Sequence, residues 1–254
     1  MSVALKRAGR ALARLYPMGI SLLWKAPLVL ALVVVPEFLQ HIAEIQLGMF
    51  GTRAQAAAVA DHPTRMAFGA LKIAGLVLTF FAVARLWWVR AHGGRWWDVR
   101  AIAWGRFLLG LLLFMGVPVL PDLFKAQLDP RLYQLLVWGL ALAMLPMLFL
   151  LLAGLFGDRT TAISAMWRRA WPWLLLTALL VVLAFAPAQW LHGMNHKWAF
   201  GAHPVIVWTL MIFDSLVVGL LAGLTGTALY LGYAAFAGRR AKVDKRSSRS
   251  PPGI

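Results

Sequence analysis

The sequence predicts an all-α membrane protein: a polytopic bundle of six transmembrane helices with amphipathic interfacial helices on its cytoplasmic side. Apolar residues make up 61% of the 254 residues and charged residues only 13%, whereas soluble domains are about 45–50% apolar and about 25% charged. A soluble single domain of this composition would leave large apolar areas in water, so that class is excluded. The absence of cysteine excludes a disulfide scaffold, a thiolate metal site and a cysteine nucleophile.

Six segments are apolar enough to cross a bilayer, which takes about 20 residues of helix. In chain order they span residues 26–46, 66–88, 102–121, 132–157, 170–196 and 215–238, and the last helix begins either near Ser215 or as early as Val205. A long basic stretch precedes the first segment, so we expect the first segment to be retained and not to be cleaved as part of a signal peptide. The chain then divides into an interfacial helix (1–25), a transmembrane domain (26–237) and a disordered basic tail (238–254).

The distribution of Lys and Arg predicts the orientation, because these residues favour cytoplasmic loops. With the N-terminus in the cytoplasm, all but six of the 25 Lys and Arg residues fall on the cytoplasmic side. The six exceptions are Arg53, Arg65, Lys72, Lys125, Arg131 and Lys197. We therefore predict that both termini are cytoplasmic.

Residues 3–16 have the pattern of a helix lying in the membrane interface. One face is apolar and includes Leu5, Leu12 and Leu15, and the opposite face is basic. Similar basic and aromatic stretches precede the third and fifth segments, at 96–106 and 163–169. The six side chains that we expect to contact anionic lipid headgroups are Lys6, Arg7, Arg10, Arg14, Arg168 and Arg169. Either the chain contains three repeats of interfacial helix plus helical hairpin, or cytoplasmic anchoring alone gives these loops a common character.

The segments Leu5–Leu15, Val99–Arg106 and Ala162–Arg169 carry a resemblance to a known group of proteins. The arrangement resembles a loose group of bacterial six-helix inner-membrane proteins, which includes the membrane domain attached to some glycerophosphodiester phosphodiesterases. The resemblance implies a multi-pass protein of the bacterial inner membrane. It does not carry over the enzymatic activity, because the chain contains no phosphodiesterase domain.

Costly intramembrane charges are concentrated in the first two predicted spans. Glu37, Gln40, His41 and Glu44 have the spacing i, i+3, i+4, i+7, which places all four on one helical face. Lys72 has a comparable depth in the second span, so an ion pair with Glu37 is expected, and Asp214 is a further candidate. The group is interpreted either as a polar pocket or as a buried pair that fixes helix packing. A third alternative ends the first span near Pro36.

Five of the six histidines lie on the predicted outer side, and four of them are weak candidates for metal ligands: His41, His192, His196 and His203. His192 and His196 have the i, i+4 spacing of helical metal ligands, but Gly193 between them argues against a firm helix. No complete zinc signature is present, so we expect no cofactor.

These features lead to three hypotheses for function. The first is a non-enzymatic membrane protein of envelope or lipid-related housekeeping, or the membrane partner of another component, because neither a G-x-S-x-G motif nor a glycine-rich phosphate loop is present. The second is a small permease subunit using Glu37, His41 and Lys72. The third is a membrane enzyme with an outer His/Glu metal site. Expected partners are membrane lipids, a further copy of the chain or another membrane protein, and not nucleic acid.

Overall fold

The computed structural model describes residues 3–238, apart from the side chains of Val3 and Ala165. This part of the chain is helical and contains no strand. Its α-helices are α1 Val3–Lys25, α2 Pro27–Gln46, α3 Arg53–Val59, α4 Pro63–His92, α5 Trp104–Leu111, α6 Pro130–Met144, α7 Met147–Leu155, α8 Ile163–Arg169, α9 Trp171–Ala199 and α10 Pro204–Ala237. The predicted tail lies outside the described residues, except for Gly238.

Five helical runs in residues 3–238 are long and apolar enough to cross a membrane: Pro27–Gln46, Pro63–His92, Trp104–Phe124, Trp171–Ala199 and Pro204–Ala237. A sixth results if α6 and α7, which are bent by 44° at their junction, form one broken span. The prediction of an all-α protein with about six such helices is confirmed at this level.

Proline fixes where several of these helices begin. It is the first residue of α2, α4, α6 and α10, a position where its missing N–H costs nothing and its fixed φ suits the helix. Asp129 also caps α6, because its carboxylate accepts hydrogen bonds from the N–H groups of Arg131 and Leu132 at 2.9 and 3.2 Å. Proline also interrupts the apolar run predicted at 132–157, since Pro146 stands at the α6–α7 junction.

One other expectation is corrected. The segment 96–106 does not form an interfacial helix: only a 3₁₀ turn, Val99–Ala101, precedes α5. Arg85 holds this segment in loop form by donating hydrogen bonds to the carbonyl oxygens of Trp96 and Asp98 at 2.9 and 2.6 Å. Of the two starts that the sequence allows for the last helix, the structure has the earlier one, at Pro204, so Asp214 lies within α10.

The chain divides into two compact units. Unit 1 comprises the residues up to Ala84 together with Leu179–Leu229. Its apolar core includes Val33, Val218 and Ala222, with Leu76 and Phe80 packed against them. The backbone N–H of Gly201, which has φ +70°, donates a 2.8 Å hydrogen bond to the carbonyl oxygen of Phe50 and so ties the α9–α10 turn to the loop after α2.

Unit 2 comprises Arg85–Ala178 and the described residues from Tyr230 onward. α5 and α7 pack backbone against backbone in this unit, because a Cβ atom at Gly110 would collide with the backbone of Leu151 and one at Gly154 with that of Phe107. The residues of α7 are buried, apart from Leu148.

A second polar feature of unit 2 is the turn at Asp158. This carboxylate accepts hydrogen bonds from the backbone N–H groups of Thr160 and Thr161, from both threonine hydroxyls and from the Tyr233 hydroxyl at 3.0 Å. Burial acts to raise the pKa of Asp158, but the hydrogen bonds, that of Thr161 foremost, lower it to about 2. The turn is therefore organised around an ionised carboxylate.

Candidate functional site

The polar face of α2 is buried inside unit 1. Glu37, Gln40, His41 and Glu44 are each at most 4% exposed, as their common helical face requires. Apolar residues on the other faces of α2 leave this face as the polar side of the helix. A single helix in the interior thus carries two carboxylates, an imidazole and an amide within two turns.

Local backbone chemistry sets the register between α2 and α4. Pro36 has no N–H, so the carbonyl oxygen of Leu32 lacks the hydrogen bond that a regular helix would give it. Gly75 lies directly against this carbonyl, where any side chain would collide with it. Lys72 stands three residues earlier on α4, and its Nζ lies 3.3 Å from Glu37 Oε2.

Asp214 is the point where three elements meet. Its side chain is 0% exposed, and its Oδ2 lies 2.6 Å from His192 Nδ1, 3.1 Å from His41 Nε2 and 3.5 Å from His196 Nε2. Asn195 Nδ2 donates a 2.8 Å hydrogen bond to the other carboxylate oxygen. Three imidazole nitrogens thus surround one oxygen that has only two lone pairs to offer.

His41 links the remaining carboxylates to this point. Its Nδ1 lies 3.1 Å from Glu44 Oε2, and its Nε2 lies 3.2 Å from Glu37 Oε1 as well as 3.1 Å from Asp214 Oδ2. An imidazole nitrogen carries at most one proton, so Nε2 cannot donate a full hydrogen bond to both carboxylates. The ring is 1% exposed, which leaves no room for bulk water to compensate.

Two positively charged side chains lie at the edge of this group of residues. Lys72 pairs with Glu37, and Arg65 Nε donates a 3.0 Å hydrogen bond to Glu44 Oε1. The two basic side chains are each 24% exposed, against 0–1% for their partners. With neutral histidines, the three carboxylates of the cluster exceed these two cations by one negative charge.

Two buried amide oxygens beside these carboxylates have no hydrogen-bond partner among the described residues: Gln40 Oε1 and Asn195 Oδ1. Their amide nitrogens donate to Glu44 and Asp214 respectively. Buried oxygens without partners are rare and call for a water or an ion. These two belong to side chains that already contact the carboxylates of the site.

The side chains form three overlapping groups suited to a metal ion: His41–Glu44–His196, His192–His196–Asp214 and Glu37–His41–Asp214. Within each group the three ligand atoms lie within 4.8 Å of one another. Imidazole and carboxylate ligands together suit Zn²⁺, Mn²⁺ and Fe²⁺. We call the six residues Glu37, His41, Glu44, His192, His196 and Asp214 the His/carboxylate cluster.

The structure brings together all six residues that the sequence suggested for a polar pocket, and adds His192 and His196. The expectation that Gly193 prevents a helix is wrong, because α9 continues to Ala199 and places both histidines beside Asp214. His203 stays apart from the cluster: it is exposed beside the start of α10, where its Nδ1 accepts a hydrogen bond from Val205 N–H at 3.4 Å.

Sequence reasoning missed two contributors, Asn195 and Arg65. Asn195 lies three residues after His192, a signal that becomes readable once α9 is accepted as helical there. Arg65 precedes Lys72 by seven residues, which matches the seven residues between Glu37 and Glu44 on the antiparallel partner helix.

The side chains expected at lipid headgroups are placed on two helices. Lys6, Arg10 and Arg14 are exposed on α1 and Arg7 is half-buried there. Arg168 and Arg169 are exposed at the end of α8.

The chain matches no known protein family, and no characterised protein or solved structure is significantly similar to it. The resemblance to six-helix inner-membrane proteins therefore stays a prediction. The function has to be argued from the His/carboxylate cluster itself.

Proposed function

We propose that this protein is an integral membrane protein that binds a divalent transition-metal ion in the His/carboxylate cluster and carries it as a small permease or permease subunit. The observation that supports this most is the convergence of three histidines and three carboxylates from α2, α9 and α10 around Asp214 and His41. The i, i+4 spacing of His192 and His196 is only a partial metal signature, and the convergence of these side chains around Asp214 supports a metal site further.

The arrangement without an ion is chemically incomplete. Asp214 Oδ2 is approached by three imidazoles, and His41 Nε2 by two carboxylates. A divalent cation among these atoms would accept lone pairs from imidazole and carboxylate together, and its positive charge would offset that of the buried carboxylates. Both effects offset the desolvation of ionised carboxylates, which is expensive in a bundle interior.

The ligand supply favours a bound cargo over a catalytic ion. Catalytic zinc sites use about three protein ligands and keep one coordination position open for water. Here six ionisable side chains and two amides surround the position, and most of these residues are buried: Glu37, Gln40, His41, Glu44, Asn195 and Asp214. The metalloenzyme hypothesis is therefore the weaker of the two that use a metal.

The direct test is zinc binding by the purified protein in lipid nanodiscs, compared with two variants. Zn²⁺ is a suitable probe because it has no redox chemistry. We expect about one tightly bound ion for the wild type and at least ten-fold weaker binding for Asp214→Asn. Asp61→Asn is the matched control, because Asp61 is exposed in the loop before α4.

The outcomes separate the alternatives. Binding lost in Asp214→Asn but kept in Asp61→Asn supports the proposal, and Zn²⁺ uptake into proteoliposomes then tests carriage. A folded wild type that binds no metal would overturn it and leave the cluster as a packing network. Binding without any uptake would overturn the permease role and leave a structural metal site.

The proposal includes a location and a lipid contact. Following the resemblance, we place the protein in a bacterial inner membrane, and following the bias of Lys and Arg we place both termini in the cytoplasm. The basic side of α1 would then face anionic headgroups, to which each Lys or Arg adds roughly 1 kcal/mol of binding. Vesicle co-sedimentation of a synthetic peptide covering residues 1–25 would test this: binding to neutral vesicles as strong as to anionic ones would contradict it.

A further inference from the structure

We propose that Arg65 and Lys72 are internal substitutes for the metal: they neutralise Glu44 and Glu37 when the ion is absent, and the basic side chain is displaced from whichever of these carboxylates ligates the ion when it binds. The proposal rests on the proposed function, since it describes how the same cluster is filled and emptied. It assigns these two α4 side chains the role of the groups that are released on loading.

The ion pairs form a ladder of two rungs. Glu37 and Glu44 are seven residues apart on α2, and Arg65 and Lys72 are seven residues apart on α4. Because seven residues make about two helical turns, each pair lies on one face of its helix. The helices run in opposite directions, so Glu37 meets Lys72 at 3.3 Å and Glu44 meets Arg65 at 3.0 Å.

Each carboxylate of the ladder also belongs to a candidate metal triad. Glu37 lies in the group with His41 and Asp214, and Glu44 lies in the group with His41 and His196. A metal ion and an α4 cation would therefore draw on the same carboxylates. When the ion binds, it supplies the positive charge that the displaced side chain takes away. Each buried carboxylate therefore has a cationic partner both with and without the metal.

Burial shows which partner is able to leave. The carboxylates are 0% and 1% exposed, whereas the side chains of Lys72 and Arg65 are 24% exposed and enter the cluster from its edge. Long basic side chains readily move their charged ends toward water or headgroups while the stem stays packed. Arg65 already uses Nη1 to hold the carbonyl oxygen of Ala60 at 2.7 Å, outside the cluster.

Competition predicts that removing a cation tightens metal binding. We expect Lys72→Gln to bind Zn²⁺ at least five-fold more tightly than the wild type, in the usual range of coupling between sites. Arg65→Gln should change affinity in the same direction. Lys197→Gln and Arg53→Gln are matched controls, because they remove the same charges at exposed positions of unit 1, and they should change affinity less than two-fold.

A second readout uses the unmodified protein and so does not depend on the folding of a variant. An amine-reactive reagent, followed by peptide mass spectrometry, reports the accessibility of each lysine. Addition of Zn²⁺ should increase modification of Lys72, while that of Lys197 serves as the internal reference. This readout distinguishes displacement from a general electrostatic effect on affinity.

The possible results have separate meanings. Tighter binding in Lys72→Gln together with zinc-dependent modification of Lys72 supports the inference. Zinc binding to the wild type with unchanged Lys72 modification, or equal affinity in Lys72→Gln, would overturn the inference and leave the proposed function standing. No zinc binding to the wild type would overturn both.

Discussion

Two aspartates of this protein, Asp158 and Asp214, are surrounded by different kinds of hydrogen-bond donor. Asp158 is satisfied by hydroxyl and backbone N–H donors from a short turn and from Tyr233. Asp214 is surrounded instead by three imidazoles and an amide, whose donor capacity depends on proton positions. The carboxylate of Asp158 is satisfied by protein donors alone, whereas the imidazoles around Asp214 could bind a metal ion together with its carboxylate.

Asp158 makes the acid stability of unit 2 predictable. Its pKa in the folded protein is about 2, below the ordinary value of 3.8, so its stabilising effect is fully present above about pH 4. This contribution is lost as the pH falls through 2, because protonation removes the ionised acceptor. Asp158→Asn should lower stability at pH 7 by about 1–3 kcal/mol.

The measurement is unfolding in mild detergent at several pH values, followed by tryptophan fluorescence. The stability difference between wild type and Asp158→Asn should shrink as the pH is lowered from 4 to 2. Asp61→Asn provides the reference for an exposed aspartate. A difference that stays constant down to pH 2 would contradict the assigned pKa.

At the scale of elements, the sequence was sufficient where spacing along one helix, or matching depth in two spans, carried the signal. The i, i+3, i+4, i+7 spacing on α2 identified the buried polar face, and the depth of Lys72 identified its pairing with Glu37. Sequence-based prediction failed where the end of a helix or the course of a loop depended on tertiary contacts. Gly193 does not end α9, because the helix is held by packing and by the contacts of His192, Asn195 and His196 with Asp214.

The same limit explains the loop at 96–103. This loop is held by the guanidinium of Arg85 on α4, which also donates a hydrogen bond to the carbonyl oxygen of Leu155. The residues of the loop itself give no local signal of this contact. The bend between α6 and α7 is different, because it lies at Pro146 and is therefore visible in the sequence.

Close packing of α5 against α7 gives a prediction at this scale. Gly110→Ala should lower the melting temperature markedly, because the new Cβ would collide with the backbone of Leu151 and overpacking costs about 1–3 kcal/mol. Gly139→Ala on α6 is the matched control, since a Cβ there meets nothing within 4 Å. It should leave stability unchanged or raise it slightly. Equal melting temperatures for the two variants would refute the backbone contact.

At the scale of the whole molecule, the composition and the helix lengths point to a multi-pass membrane protein. Five or six helical runs in the described part of the chain are long and apolar enough to cross a bilayer. The proposed orientation places the loop after α4 in the cytoplasm and the segment before α6 outside. This orientation determines from which side a metal ion would reach the cluster.

The absence of native cysteine makes the orientation directly measurable. A membrane-impermeant maleimide added to intact bacterial cells or spheroplasts should label Gln127→Cys, which precedes α6, without lysis. It should label Ala91→Cys, at the end of α4, only after lysis. Both positions are exposed. The reverse pattern would mean that the N-terminus lies outside the cytoplasm.

Zinc K-edge X-ray absorption of the zinc-loaded protein shows directly whether the His/carboxylate cluster holds the metal ion. We expect a first shell of nitrogen and oxygen atoms at about 2.0–2.2 Å, with the outer-shell scattering of at least two imidazoles. The imidazole signal should decrease in a His41→Asn, His196→Asn double variant and persist in His203→Asn. A shell of oxygen atoms alone, unchanged in the double variant, would show that zinc binds elsewhere and that the cluster is a packing network.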